Sequence, residues 1–272
     1  MSRIKGVFAT LKGRRAALIP FIAGGDPGLS ATVPVMHGLV RAGADLIEVG
    51  MPFSDPMADG PTIQMAHQRA LGAGATTRAV IDQVAAFRRD DGRTPVVLMG
   101  YVNPVETMGY EVFAKACQAA GVDGVILVDM PPEEAAEWRD CASRAGIDTI
   151  FLLSPTTPAE RLAAIGAAST GFLYYVALKG VTGARHLDVA DVAARLAVVR
   201  AASALPVGVG FGIRDPRSAA EVGRFADAVI VGSAIVERMA AKKPIDEVLA
   251  DVEGFVRDLR AALPERVSGM SS

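Results

Sequence analysis

Apolar and polar positions along this chain repeat on two scales. Short runs of branched and aromatic residues recur eight times, at Ala17–Ala23, Ala44–Gly50, Pro95–Tyr101, Gly124–Met130, Asp148–Ser154, Gly171–Ala177, Pro206–Gly212 and Ala228–Ser233. Several are almost continuously apolar, as strands covered on both faces are. Between them lie Ala/Arg/Glu-rich stretches with helical periodicity, such as Glu133–Arg144, Val189–Ala202 and Pro216–Phe225. In the last helical stretch Ile245, Val248, Leu249, Val252, Val256, Leu259 and Leu263 fall on one stripe. At the other end Ile4, Val7, Phe8 and Leu11 have helical spacing. They predict a short amphipathic helix packed on the body of the fold.

Strand-then-helix alternation implies parallel pairing through crossover connections. Doubly wound sheets offer five or six such units, whereas eight units in about 250 residues match a closed barrel. The expected fold is therefore α/β, a single-domain (β/α)8 TIM barrel over residues 1–264 with an extra N-terminal helix. Residues 265–272, after Pro264, are expected to form a frayed tail.

Composition narrows the function classes. The chain has 272 residues, 51% of them hydrophobic, enough for one large core. Its 28 basic and 30 acidic residues are interspersed and leave a net charge of −2. That balance gives no footprint for nucleic acid or an anionic membrane. No apolar run approaches the ~20 residues of a membrane span. Lys12, Arg14, Arg15 and Pro20 interrupt any signal-peptide core, so a cytoplasmic protein is expected. Cys117 and Cys141 lack metal-ligand spacing and are expected to be buried free thiols.

The charge that needs explaining is Glu48, inside the second apolar run. Burying a carboxylate is costly. Strand alternation puts Leu46, Glu48 and Gly50 on one face and Ile47 and Val49 on the other. If Ile47 and Val49 face the helices, Glu48 points into the barrel mouth, where active sites of this architecture lie. The alternative is a structural carboxylate paired with an arginine. A second carboxylate, Asp59, follows at the end of a Gly/Pro-rich loop. The seventh and eighth strands end in Val209-Gly210-Phe211-Gly212 and Val231-Gly232-Ser233. Glycines there let backbone N–H groups approach a phosphate, although tight turn packing also uses them. The Gly-rich stretch Leu178–His186 suits a mobile lid, or else a passive surface loop.

Other chemistries are disfavoured. None of the six lysines lies in a strand facing the barrel, which argues against Schiff-base and pyridoxal chemistry in this chain. His37, His67 and His186 are scattered and form no metal cluster. What remains is general acid/base chemistry on a phosphorylated metabolite, with no cofactor and no metal.

The run Leu46–Gly60, with its core Ile47-Glu48-Val49-Gly50-Met51-Pro52-Phe53-Ser54-Asp55-Pro56, closely resembles the signature of the tryptophan synthase alpha subunit. The likeness extends to Pro20–Pro27, Gly100–Pro104, Gly180–Gly183, Gly210–Ile213 and Gly232–Val236, in the expected order. The strand-two motif is highly specific and the others support it. The resemblance implies retro-aldol cleavage of indole-3-glycerol phosphate to indole and glyceraldehyde 3-phosphate in tryptophan biosynthesis. It implies Glu48 as general acid/base and Asp59 as the carboxylate at the indole N–H. It assigns Phe21, Tyr101, Tyr174, Thr182 and Phe211 to the substrate pocket, and Gly183, Gly212, Gly232 and Ser233 to the phosphate. It also implies an α2β2 complex with a beta subunit, which carries pyridoxal phosphate, and an interface including Asp55, Pro56 and Asn103. Met57, Met65 and Leu178-Lys179 depart from the usual pattern and touch partner coupling and the lid more than chemistry. A stand-alone indole-releasing lyase and a non-catalytic allosteric barrel are the alternatives. Indole-glycerol-phosphate synthase would want strand lysines that this chain lacks.

Overall fold

In the computed structural model, residues 2–177, 189–210 and 212–266 are described. The elements run α1 (Arg3–Leu11), β1 (Ala17–Ala23), α2 (Leu29–Arg41), β2 (Ile47–Gly50), α3 (Pro61–Gly72), α4 (Thr77–Phe87), β3 (Val96–Gly100), α5 (Val102–Met108), α6 (Tyr110–Ala120) and β4 (Gly124–Leu127). They continue α7 (Ala136–Ala145), β5 (Asp148–Thr149), β6 (Leu152–Leu153), α8 (Ala159–Ala168), β7 (Leu173–Val176), α9 (Val189–Ala202), β8 (Val207–Gly210), α10 (Pro216–Gly223), β9 (Ala228–Val231), α11 (Ser233–Met239) and α12 (Ile245–Ala262).

All strand pairs are parallel, in the order β5-β4-β3-β2-β1-β9-β8-β7-β6. β5 and β6 are the two ends of one extended run, 148–153. Its start pairs with β4 and its end with β7. Between them the Ile150 N–H donates to the Val125 carbonyl, and the Phe151 carbonyl accepts from the Tyr174 N–H, both at 3.1 Å. The sheet therefore closes, and the nine segments are the eight strands of a (β/α)8 barrel, as the repeat predicts.

Two apolar layers follow from strand alternation. Ala17, Ile19, Leu46, Val97, Ile126, Ile150, Phe172, Tyr174, Ala228 and Ile230 form one cluster inside the barrel. Leu18, Ile22, Ile47, Val49, Leu98, Val125, Val209 and Val229 join the helices in the outer cluster. Ile4 and Phe8 of α1 belong to the inner cluster, and the Phe8 and Phe172 rings lie 5.6 Å apart. The extra helix thus plugs the end of the barrel at which the strands begin. At that same end Asp123 ties the elements together. It accepts from Arg3 at 2.8 Å, from Arg88 at 2.7 Å and from the Val96 N–H at 2.9 Å.

Helix ends follow local chemistry. Asp215 caps α10 by accepting from the Ser218 N–H at 2.7 Å, with Pro216 following it. α6 and α7 end on Gly121 and Gly146, both in the left-handed region that glycine enters without strain. Of the segment 265–272, Glu265 and Arg266 are described, and the Arg266 guanidinium donates to the Gly223 carbonyl at 3.2 Å. The rest of that segment lies outside the described residues. Both cysteines are buried and unbridged. Among the described residues no helix is long and apolar enough to cross a membrane.

Candidate active site

The carboxyl ends of the strands surround a cavity of about 350 Å³. Its lining includes Phe21 of β1, Met99 of β3, Tyr174 of β7, Ile230 of β9, and Asp59, Gly212, Gly232 and Ser233 from the loops. Six of the side chains and glycines predicted from sequence are therefore brought to one place. Thr182, Gly183 and Phe211 lie outside the described residues.

Glu48 sits on β2 opposite Phe21 on one side and Val97 on the other. Its neighbours Ile47 and Val49 pack outward, whereas Leu46, two residues before it, packs inward. Alternation therefore turns Glu48 inward. The residue is fully buried, and neither carboxyl oxygen has a hydrogen-bond partner among the described residues. No arginine or lysine pairs with it, so the structural ion-pair alternative does not apply among the described residues. Burial raises its carboxyl from the ordinary 4.5 to about 8. Glu48 is not itself a lining residue. Phe21 beside it is, and so is Tyr174, whose phenol is held protonated by burial and then by the charges of Glu48 and Asp59.

Two glycines make room for those rings. A Cβ on Gly50 would stand 2.7 Å from Cζ of Phe21. One on Gly210 would collide with the Tyr174 hydroxyl. Gly210 invites a phosphate role on sequence grounds. In the barrel its missing side chain seats the Tyr174 ring. Gly212 instead adopts φ 82°, a conformation that side chains strain to reach, and it lines the cavity.

Asp59 ends the loop between β2 and α3, and several bonds fix that loop. The Met51 N–H donates to the Met99 carbonyl at 2.7 Å and the Asp59 N–H to the Pro56 carbonyl at 3.1 Å. Gln64 donates to the Asp59 carbonyl at 2.9 Å. The Tyr101 hydroxyl accepts from the Ala58 N–H at 3.1 Å and donates to Asp59 Oδ2 at 2.8 Å. Tyr101 is thus buried behind the carboxylate and does not line the cavity. Burial, reinforced by Asp59, raises its pKa and keeps it a donor. His67, which scattering along the sequence hid, also reaches this loop: its Nδ1 accepts from the Phe53 N–H at 3.1 Å. Thr62, Glu237 and Arg238, which no sequence motif singles out, line the cavity as well, together with Arg214, the one arginine near another strand's end.

The phosphate candidates converge. Gly232 leads into α11, where the Ile235 and Val236 N–H groups both donate to its carbonyl. The N–H groups of Ser233 and Ala234, in the first turn, have no intrahelical acceptor. Both residues line the cavity together with Gly212 and the exposed Arg214.

Asp55 and Asn103 are exposed near the mouth, and Pro56 is half-buried. Asp55 accepts from the Ser54 hydroxyl at 2.5 Å. Met57 is 82% exposed, an unusual state for so large an apolar side chain. Asp129 anchors the start of α5 by accepting from the Val102 N–H at 2.8 Å. No three His, Cys, Asp or Glu among the described residues are grouped to hold a metal ion.

Comparison with known proteins gives a consistent result. A family model described as tryptophan synthase alpha chain matches residues 8–264. A tryptophan synthase alpha chain from Dechloromonas aromatica is 55% identical over 266 residues, covering 97% of this chain and 99% of the relative. One from Alkalilimnicola ehrlichii is 56% identical over 273 residues, covering 98% and 100%. The crystal structure of tryptophan synthase subunit alpha from Legionella pneumophila superposes with a TM-score of 0.87 at 43% identity, covering 96% and 98%. A chain of tryptophan synthase from M. tuberculosis, in an aminoacrylate-bound form, gives 0.86 at 36%, covering 97% and 100%.

Proposed function

Because this chain belongs to the tryptophan synthase alpha chain family, we propose that its barrel mouth performs the retro-aldol cleavage of indole-3-glycerol phosphate with Glu48 as the proton carrier. The observation that carries this assignment is a fully buried carboxyl group with no hydrogen-bond partner among the described residues, whose pKa burial raises to about 8.

The chemistry needs such a group. Indole is a poor leaving group as a C3 carbanion. Protonating C3 first gives an indolenine cation that can accept the electrons of the breaking bond. Glu48, protonated near neutrality, gives its proton to C3. As a carboxylate it then takes the proton of the adjacent glycerol hydroxyl. The C–C bond breaks, its electrons restore the indole ring, the alkoxide carbon becomes the aldehyde, and Glu48 ends protonated again. The general acid/base step supplies about 10²–10⁴ in rate. Glu48 does not itself line the cavity, so the step requires its side chain to turn toward it.

Positive charge develops at the indole nitrogen as C3 is protonated. Asp59, an anion on the cavity wall, stabilises it and accepts the N–H. A single carboxylate could not serve both C3 and N1. Phe21 and Tyr174 offer apolar walls for the ring, with Phe211 assigned alongside them. The Gly212 and Gly232–Ser233 backbone, with Gly183, takes the phosphate, and Thr182 belongs to the lid.

The family acts within a tryptophan synthase complex. The finer reading is an α2β2 assembly in which a beta subunit holds pyridoxal phosphate and consumes the indole, in the cytoplasm. The exposed Met57, with Asp55, Pro56 and Asn103, supports a partner seated at the mouth. Within the chain, residues 1–264 form the working domain and 265–272 a tail.

The test of this reading is product analysis. The purified chain given indole-3-glycerol phosphate should release indole and glyceraldehyde 3-phosphate in equal amounts, without added metal or cofactor. Asp59→Asn should lower kcat by roughly 10²-fold or more, as loss of one charge-stabilising group does. No indole above the uncatalysed rate would reject the reading.

A further inference from the structure

The loop that carries Asp59 rests on a buried imidazole to which the reading above gives no role. His67 lies on α3 and retains only 3% of its surface. Its Nδ1 accepts from the Phe53 N–H at 3.1 Å. A ring nitrogen that accepts a hydrogen bond carries no proton, so the neutral ring bears its proton on Nε2. That nitrogen lies 3.4 Å from Asp59 Oδ2. The Tyr101 hydroxyl donates to the same oxygen at 2.8 Å. One formed hydrogen bond, from Tyr101, and one nearby ring N–H, that of His67, thus face the same oxygen of the carboxylate, while no hydrogen bond from a described residue reaches Oδ1.

We propose that His67 is a positioning residue. With Tyr101 it holds Oδ2 of Asp59, so that Oδ1 is the oxygen presented to the indole N–H. The proposal rests on the assignment of Asp59 made above. A carboxylate restrained at one oxygen cannot rotate its free oxygen away from the ligand, and that restraint is worth most where charge is developing. The 3.4 Å separation is longer than a formed hydrogen bond. Such contacts tighten when the ligand is bound and the charge on the carboxylate is called upon. His67 therefore acts through Asp59 and touches no reacting atom.

The two ring nitrogens can be separated by substitution. His67→Asn places an acceptor near Nδ1 and keeps the Phe53 bond, but leaves nothing at Nε2. His67→Gln places a donor near Nε2 and gives up the Phe53 bond. Steady-state indole release from indole-3-glycerol phosphate reads both. His67→Asn should lower kcat about tenfold or more with KM within about twofold, the signature of an interaction made in the transition state. His67→Gln should keep kcat within about threefold of the parent enzyme. On an Asp59→Asn background His67→Asn should change kcat less than about twofold, since residues acting as a unit are non-additive.

Full kcat in His67→Asn, equal losses in both single variants, or additive losses on the Asp59→Asn background would overturn the proposal. If Asp59→Asn alone were fully active, the assignment of Asp59 would fail first and the two failures would be told apart. A second measurement needs no variant. The imidazole nitrogen shifts of the native protein should report the Nε2–H tautomer at His67. The Nδ1–H tautomer would overturn the proposal.

Discussion

Glu48 is expensive to keep where it is. A buried carboxyl with no partner has its charged form penalised by desolvation, and among the described residues no hydrogen bond or cation offsets that cost. The consequence for stability has a definite sign. An unfolded chain releases this proton near pH 4.5, whereas the folded barrel holds it to about pH 8. Between those values the folded state binds more protons, so its stability falls as pH rises, by up to about 1.4 kcal/mol per pH unit for one such site. Glu48→Gln removes the titration. Urea denaturation at pH 5, 6.5 and 8 should show the variant gaining on the parent protein as pH rises. Parallel curves would mean that Glu48 titrates normally. Strand alternation set Glu48 on the face opposite Ile47 and Val49, and the packing of those two against the helices turns it inward. The bond from Tyr101 to Asp59 was not legible in the sequence, because residues 42 apart in sequence meet only when β2 and β3 pair. His67 was hidden for a related reason: its spacing along α3 carries no sign that a loop folds back onto it.

Helices and strands were easier to read than their junctions. All eight apolar runs became strands or strand segments, and Val189–Ala202 became α9 with the bounds its periodicity predicts. The split of 148–153 into β5 and β6 could not be read from sequence, because that run looks like its neighbours. Its ends differ only in which strand they pair with. α1 illustrates the opposite case. Its helical spacing predicts packing on the body, and the structure adds that Ile4 and Phe8 complete the inner cluster. Phe8→Ala should therefore destabilise the barrel by about 3 kcal/mol, the usual cost of removing a buried aromatic ring. A lowered urea midpoint with unchanged KM checks this. An unchanged midpoint would mean that α1 is not part of the core. Glycines on the inner face were legible as special but not as to purpose. Gly210 has its role in the size of the Tyr174 ring, which stands on a neighbouring strand.

Closure of the barrel brings Phe21, Asp59, Tyr174, Gly212, Gly232 and Ser233 to one end, from five parts of the chain. It also leaves the segment Ser54–Met57 on the outside of that end, between Glu48 and Asp59 in sequence. A partner seated on the exposed Met57 would bear on the loop that aims Asp59. Such a partner would couple assembly to turnover. Addition of the beta subunit should raise the rate of indole release severalfold, while an unchanged rate in a complex confirmed by ultracentrifugation would count against that coupling. The most direct test of the proton carrier is single-turnover cleavage of indole-3-glycerol phosphate by Glu48→Gln, with ligand affinity measured alongside. The expected result is binding within a few-fold of the parent protein and a cleavage rate reduced roughly 10²–10⁴-fold. Cleavage at more than about a tenth of the parent rate, with binding intact, would show that the proton comes from elsewhere.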